Sequence, residues 1–409
     1  MVSRSFYGEL LERYGSPLYV YDLDEAERRA KALVELLPKR AQLLYALKAN
    51  PIADLCATLR KAGCRVEIAS ILELKIALEA GFLPSDMLFS GPGKTPTIIR
   101  EALLAGVTQF SCDSWYDMER LAEVASAANK SVSALLRLHL SGAAAAAAGV
   151  GAMQSHFGAE PAELLDGGAK RLAQLRGAEL VGIHVYSGTQ IQTSEGLGRS
   201  FEHAIQLAEE IVASGIPLRV LDVGGGFPWP WATSDAPADL SFLGSELERV
   251  DQLRRLTAGA ELWFESGRYL VSSCGTLLAT VLDVKKSVTG KTHVILDTGM
   301  IHLGGMSGLG RIHRAVASLE PLGEPRGEIL EPADIMGPTD SPLDCIARNA
   351  LMPPLHPGDK VAIPNVGAYG LTASLVAFAS RQPPVEVCCR GDCVVAAYRL
   401  HPGHERIST

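Results

Sequence analysis

The chain has 409 residues, 47% of them hydrophobic, which is enough for two domains with separate cores. A net charge of -8 and the lack of any Lys/Arg-rich block exclude the electrostatic footprint of a nucleic-acid or anionic-membrane binder. No run of 18 apolar residues occurs and no apolar stretch follows Met1-Val2-Ser3-Arg4-Ser5, so a soluble, cytoplasmic protein with no membrane partner is expected.

Ser16-Pro17-Leu18-Tyr19-Val20-Tyr21-Asp22 reads as a short strand leading into a helix. Ala26, Ala30, Leu33, Val34 and Leu37 recur at helical spacing, with Asp22 or Asp24 as N-cap and Pro38 as the stop. Next comes Tyr45-Ala46-Leu47-Lys48-Ala49-Asn50-Pro51, where a lysine ends an apolar run and turn chemistry follows at once. The Lys48 ammonium is therefore expected where a buried strand emerges into a loop. Burial there would lower its pKa from the usual value of about 10.4 and make it an amine nucleophile fit for a Schiff base. A snorkelling lysine at a strand end is the competing reading.

From here short apolar runs alternate with amphipathic stretches. The runs are Leu43 to Ala46, Arg65 to Ala69, Met87 to Phe89, Val107 to Ser111, Val132 to Leu138, Leu180 to Val185, Leu218 to Val223 and Glu261 to Phe264. Between them lie helical patterns such as Leu72 to Ala80, Thr97 to Ala105 and Phe201 to Ser214, each followed by the glycine that an αL C-cap wants. Eight such units predict a (β/α)8 TIM barrel, an α/β architecture whose chemistry gathers at the carboxyl ends of the strands. Those ends carry Lys48, Ser70, Arg137 and His139, His184 and Tyr186, Gly224-Gly225-Gly226, and Glu265-Ser266-Gly267-Arg268. The glycines after the seventh strand and Gly267-Arg268 after the eighth lie where barrels commonly bind phosphate. An aldehyde-binding lysine beside a phosphate nest points to pyridoxal phosphate; alone, three glycines read as a tight turn.

The run Ala143 to Ala148 is low-complexity and carries no chemistry. Beyond residue 270 the pattern turns β-rich, with Thr276 to Leu282, His293 to Asp297, Lys360 to Ile363, Val385 to Cys389 and Cys393 to Leu400 as candidate strands. The expected domains are a barrel over 25–270 and a C-terminal β-barrel or sandwich over 271–409, joined by the N-terminal segment 1–24. Cys388, Cys389 and Cys393 have no histidine at zinc-like spacing, so the eight cysteines read as reduced thiols and no metal site is expected.

Together these residues resemble the fold-type III pyridoxal-phosphate enzymes, the group of the diaminopimelate and ornithine decarboxylases. The resemblance spans nearly the whole chain: YALKANP at 45–51, VEIAS at 66–70, SGPGK at 90–94, SHFG at 155–158, GIHVYSGTQ at 182–190, DVGGGFP at 222–228, ESGRY at 265–269, DTGM at 297–300, GPTDSPLD at 337–344 and GAYG at 367–370. It implies that Lys48 holds the cofactor and returns a proton, and that Glu265 faces the pyridine nitrogen, where racemases of this fold type use an arginine. It implies that Gly225, Gly226, Gly267, Arg268 and Thr189 hold the phosphate with help from Tyr369. Arg137 and Asp344 become candidate substrate contacts. A head-to-tail homodimer with shared active sites is implied, the GPTDSPLD loop completing the partner's site.

Three departures stand out. Tyr186 occupies the place of the family's ring-stacking histidine, with His184 two residues away, and both are retained as cofactor contacts. Asp340 stands where the family has a proton-donating cysteine, so Asp340 or Cys345 becomes the candidate donor. The stretch from Met300 to Arg311 lacks the arginine-proline segment that grips a distal carboxylate, which makes it more similar to a biosynthetic branch with carrier-tethered substrates. Arg311 and His313 read as a solvated face. The expected function is decarboxylation of an amino acid or derivative, free or tethered to an acyl or peptidyl carrier protein. The alternatives are a racemase, an aldol-type lyase or a degenerate cofactor-binding member.

Overall fold

The computed structural model describes residues 2–39, 41–139, 157–254, 259–304, 317–324 and 330–407. The alanine run at 143–148, Arg311 and His313 lie outside the described residues. The chain forms two compact units, one of residues 29–228 and 238–269, the other of residues 1–28, 229–237 and 270–409.

The first unit is a closed barrel of eight parallel strands: β2 (Gln42–Ala46), β3 (Arg65–Ile68), β4 (Met87–Phe89), β5 (Gln109–Cys112), β6 (Val132–Leu138), β7 (Ala178–Val185), β8 (Val220–Asp222) and β9 (Glu261–Ser266). Each strand is short and apolar because both its faces are covered. Helices begin on side-chain caps, Ser70, Thr95, Ser114 and Thr193 each accepting from a backbone N–H three residues on. They end at glycines: Gly81, Gly106 and Gly215 adopt φ of 85°, 93° and 93°, the left-handed conformation that closes a helix at little cost.

Strand periodicity then sorts the barrel interior into layers. Leu44, Leu88, Leu135, Val181, Val220 and Trp263 pack together as one apolar layer. Two residues further along the same strands stand Ser90, Arg137, Asp222 and Glu265, joined by Glu67 of β3 and His184 of β7. A one-residue slip in any of these strands would send its polar residue out among the helices.

In the second unit, β1 (Leu18–Asp22) lies inside a mixed sheet, antiparallel to β10 (Gly275–Lys286) and parallel to β16 (Val385–Arg390). The sheet runs β14-β13-β11-β10-β1-β16-β17, where β11 is Thr292–Leu296, β13 Glu331–Met336, β14 Cys345–Met352 and β17 Cys393–Arg399. Off this path β15 (Lys360–Ile363) pairs with both β10 and β12 (Glu320–Pro321). Leu10, Leu11, Leu18, Val20, Leu278, Val385 and Val387 belong to one apolar cluster of this unit. The helix Arg4–Tyr14, capped by Ser3, escapes a periodicity reading because Leu10 and Leu11 are its buried residues. Asp22 both ends β1 and caps the next helix, Leu23–Leu36, its Oδ1 accepting from the Asp24 and Glu25 amides.

Candidate active site

The layer above the apolar floor holds an unusual density of charge. Lys48 sits on a 3-10 turn, Leu47–Ala49, immediately after β2. Its Nζ lies 3.2 Å from both Oε1 and Oε2 of Glu67. Burial pushes the Glu67 carboxyl up, but Lys48, the Ser90 hydroxyl and Arg137 more than offset it, and the group settles below the ordinary carboxylate range. The structure thus corrects the expectation of a buried lysine. The turn projects Lys48 outward, half its side chain is exposed, and a buried carboxylate holds the ammonium. Tyr45 fixes the turn's exit, its hydroxyl donating to the Asn50 carbonyl at 2.8 Å.

His184 is 2% exposed and its Nδ1 lies 2.9 Å from Ser111 Oγ. Burial first, then the positive charges of Arg137, Lys48 and Lys94, drive its pKa well below the usual imidazole value, so the ring is neutral. Its Nε2 lies 3.6 Å from Glu265 Oε1. Glu265 goes the other way: burial, then repulsion from Glu67 and Asp222, raises its pKa well above the carboxylate range. Asp222, fully buried, is raised to about 7 by burial against the pull of the Gly224 amide. Arg137 reaches toward Asp113, 3.7 Å away, and its guanidinium stands 4.7 Å from the Phe157 ring centre and 5.7 Å from that of Tyr186.

The glycine loop after β8 packs where side chains cannot. A Cβ on Gly225 would lie 2.2 Å from the Glu265 carbonyl oxygen, and one on Gly226, whose φ is 102°, would lie 2.9 Å from Ile191 Cδ1. The loop carrying Thr189 is tied to it by the Ile191 amide, which donates to the Gly226 carbonyl at 3.0 Å. Gly267 packs against Ala49 beside Lys48, and Arg268 opens the short helix Arg268–Val271. The barrel therefore brings together Lys48, Arg137, His184, Gly225, Gly226 and Glu265, with Tyr186 and Thr189 at its edge.

The remaining candidates belong to the second unit. Asp344 is 1% exposed, and its carboxylate accepts from the Met300 amide at 2.7 Å and from the Thr339 amide and hydroxyl at 3.1 and 2.7 Å. It thereby organises the 337–344 loop, on which Asp340 is exposed. Cys345 donates its thiol to the Ala347 carbonyl at 3.2 Å, and burial raises its pKa. Tyr369 takes a left-handed conformation, φ 54°.

Glu67, Asp222 and Ser90 are site residues that the strand-end reading passed over. Their signal was present: a carboxylate inside an apolar run, as in Val66-Glu67-Ile68 or Leu221-Asp222-Val223, is almost never buried without a purpose. Behind them Lys94, 1% exposed, pairs with Asp117 at 2.7 Å and donates to the Gly91 carbonyl. A cavity of about 280 Å³ also opens at the opposite, amino end of the barrel, lined by Arg65, Gln109, Arg219, Glu261 and Trp263. It holds none of the candidate site residues and is closed off from them by the apolar layer of Leu88, Leu135, Val181, Val220 and Trp263.

The chain is similar to known proteins over nearly all of its length. Residues 23–272 match the family model of the pyridoxal-dependent decarboxylase pyridoxal-binding domain. An L-glutamyl-[BtrI acyl-carrier protein] decarboxylase of Niallia circulans is 31% identical over 93% of this chain and 90% of its own. A diaminopimelate decarboxylase of Helicobacter pylori strain J99 is 29% identical over 89% and 88%. The crystal structure of diaminopimelate decarboxylase from Helicobacter pylori complexed with L-lysine superposes with a TM-score of 0.81 at 26% identity, covering 95% of each chain. The residues of the barrel rim fit pyridoxal phosphate: an amine beside a glycine cradle, and a fully buried Glu265 Oε1 with no hydrogen-bond partner among the described residues. The chain belongs to the pyridoxal-dependent decarboxylases, enzymes of the carboxy-lyase class.

Proposed function

We propose, with that membership as the premise, that the chain removes carbon dioxide from an amino acid or amino-acid derivative, Lys48 providing the amine that anchors the cofactor. The observation that carries the reading is the convergence on one rim of Lys48 with its Glu67 clamp, the Arg137 cation and the unpartnered Glu265 carboxyl. Bound pyridoxal phosphate supplies the electron sink for loss of the carboxylate. Glu265 would hold the ring nitrogen, whose proton would give its buried oxygen a partner. Gly225, Gly226, Gly267, Arg268 and Thr189 would hold the phosphate. Tyr186 covers the ring with an aromatic face that does not titrate near neutrality.

Arg137 holds a substrate carboxylate, its guanidinium braced by two rings and only loosely by Asp113. Lys48, its ammonium held by Glu67, would be placed to deliver a proton at the α-carbon. Asp340 or Cys345 would be the alternative donor of that one proton. The exposure of Asp340, Pro342 and Leu343 supports a loop that reaches a partner protomer in a homodimer, with Asp344 as its internal brace. The 31%-identical relative supports an amino acid tethered to a carrier protein as substrate. A cytoplasmic location is part of the same reading.

The test is the visible absorbance of the purified protein together with carbon dioxide release from free and carrier-linked amino acids. Lys48→Ala is expected to lose the band of the lysine-bound cofactor and to lower release by on the order of 10³-fold or more. A band that survives in Lys48→Ala would sink the assignment. Release from carrier-linked but not free amino acids would establish tethering, and the reverse would refute it.

A further inference from the structure

We propose that Asp222 is a positioning residue for Glu265: the two buried carboxyls share one proton, and Asp222 keeps it whenever Glu265 is ionised toward the ring nitrogen. The ionisation of Glu265 toward a ring nitrogen rests on the cofactor reading above; the shared proton does not.

The geometry begins with two neighbouring strands. β8 and β9 pair so that Asp222 stands opposite Trp263, and the Glu265 amide donates to the Gly224 carbonyl at 2.8 Å. Asp222 is 0% exposed and Glu265 6%. One Asp222 oxygen, Oδ1, accepts from the Gly224 amide at 2.9 Å. The other, Oδ2, has no hydrogen-bond partner among the described residues, and neither has Glu265 Oε1 or His184 Nε2. His184 Nε2 lies 3.6 Å from Glu265 Oε1, and a ring nitrogen or carboxylate oxygen from each of the three residues lies within 4.8 Å of the others. Buried polar atoms are rarely left without partners, and a cluster of two carboxyls and an imidazole this close calls for a hydrogen within it.

The surrounding charges decide how many protons the pair keeps. From β2 and β3, Lys48 is matched by Glu67 at 3.2 Å. From β6, Arg137 faces Asp113 at 3.7 Å. Lys94 is matched by Asp117 at 2.7 Å. Arg65, toward the amino end of the barrel, donates to Gln109 at 2.6 Å and stacks over Trp263 at 4.4 Å. His184, on β7, is neutral. Each of these cations already has a partner of its own, so a second carboxylate ion beside the first in a dry site is costly. The carboxyls respond as such a pair should: Asp222 is raised to about 7, and Glu265 is raised with Asp222 among the causes. When a protonated nitrogen faces Glu265, that carboxyl ionises. Asp222 retains its hydrogen and donates it to Glu265 or His184, holding the Glu265 side chain in one orientation.

The experiment is an infrared pH titration of the un-ionised carboxyl stretch in the cofactor-free full chain, comparing the unaltered protein with Asp222→Asn and Glu265→Gln. Asparagine keeps the acceptor for the Gly224 amide, so the loop is not at stake. In the unaltered protein the un-ionised signal is expected to persist to a pH at least about one unit above that of either variant. If either substitution leaves the titration of the remaining carboxyl unchanged, the groups are independent and the proposal fails. A stoichiometric divalent cation held among the three atoms would overturn it too. In the cofactor-loaded protein, Asp222→Asn is expected to shift the pH at which the visible band of the bound cofactor changes; an unmoved profile would confine Asp222 to a structural role. A chain that never acquires that band would refute the cofactor reading while the infrared result still decided the shared proton.

Discussion

Asp344 and Glu265 are both buried carboxyls, 1% and 6% exposed, yet their surroundings are opposite. Asp344 is saturated by two amides and a hydroxyl, and two glycines crowd it: a Cβ on Gly337 would lie 2.1 Å from its Oδ1, and one on Gly299 2.2 Å. Glu265 has an oxygen that nothing within the described chain satisfies. Burying a polar group costs free energy unless it is bonded, so the first arrangement returns that cost to the fold at once and the second defers it to a ligand. Saturation thus marks Asp344 as a structural acid, and its unmet oxygen leaves Glu265 open to a ligand.

The comparison can be broken by removing each acid in turn. Asp344→Ala is expected to cost about 3 kcal/mol or more of stability, because it strands two backbone donors and a hydroxyl in a closed loop. Denaturant titration would measure this, with cofactor affinity followed in parallel. A variant as stable as the parent would end the structural reading of Asp344. Glu265→Gln is expected to do the reverse, lowering kcat by on the order of 10²-fold while leaving the cofactor-free protein as stable or more so.

Glu265→Gln should also change how stability depends on pH. Glu265 and Asp222 bind protons more tightly folded than unfolded, so both favour the fold below about pH 4, where unfolded carboxyls are still protonated. That contribution drains away as pH rises, Asp222's share being spent near its folded value of about 7. His184, with its depressed pKa, acts in the opposite sense, losing stability as pH falls below about 6.5. The variant retains the histidine residue, so the difference between parent and variant reports the two coupled carboxyls. It should widen in the variant's favour as pH rises from about 4. A constant difference across that range would mean Glu265 is already ionised in the cofactor-free protein.

The same contrast explains what could be read before the structure. The barrel was legible because its strands are predominantly apolar and its helices stop at glycines that backbone geometry requires, as at Gly81 and Gly215. The strand ends that carry Lys48, His184, Arg137 and Glu265 followed from counting outward along those runs. Glu67 and Asp222 were not singled out because they lie inside the runs, where one polar residue hardly disturbs an apolar pattern. The half-exposure of Lys48 depended on a 3-10 turn that a Leu-Lys-Ala triplet does not announce. β13 was hidden by Pro332 and the acids around it, and β14 by Arg348 and Asn349. Their pairing is set by the rest of the sheet rather than by local propensity.

Tyr186 gives the smallest expected effect and the sharpest distinction. The residue is 38% exposed, and its ring lies 5.7 Å from the Arg137 guanidinium. If the ring acts as an aromatic surface for Arg137 and the cofactor, Tyr186→Phe keeps that surface and should change kcat/KM by less than about threefold. Tyr186→Ala removes it and should weaken substrate binding more than turnover, since the contact is made alike in ground and transition states. A phenylalanine variant as impaired as the alanine one would show instead that the hydroxyl takes part. The proton movements assigned to Lys48 and the 337–344 loop would then have to be shared with it.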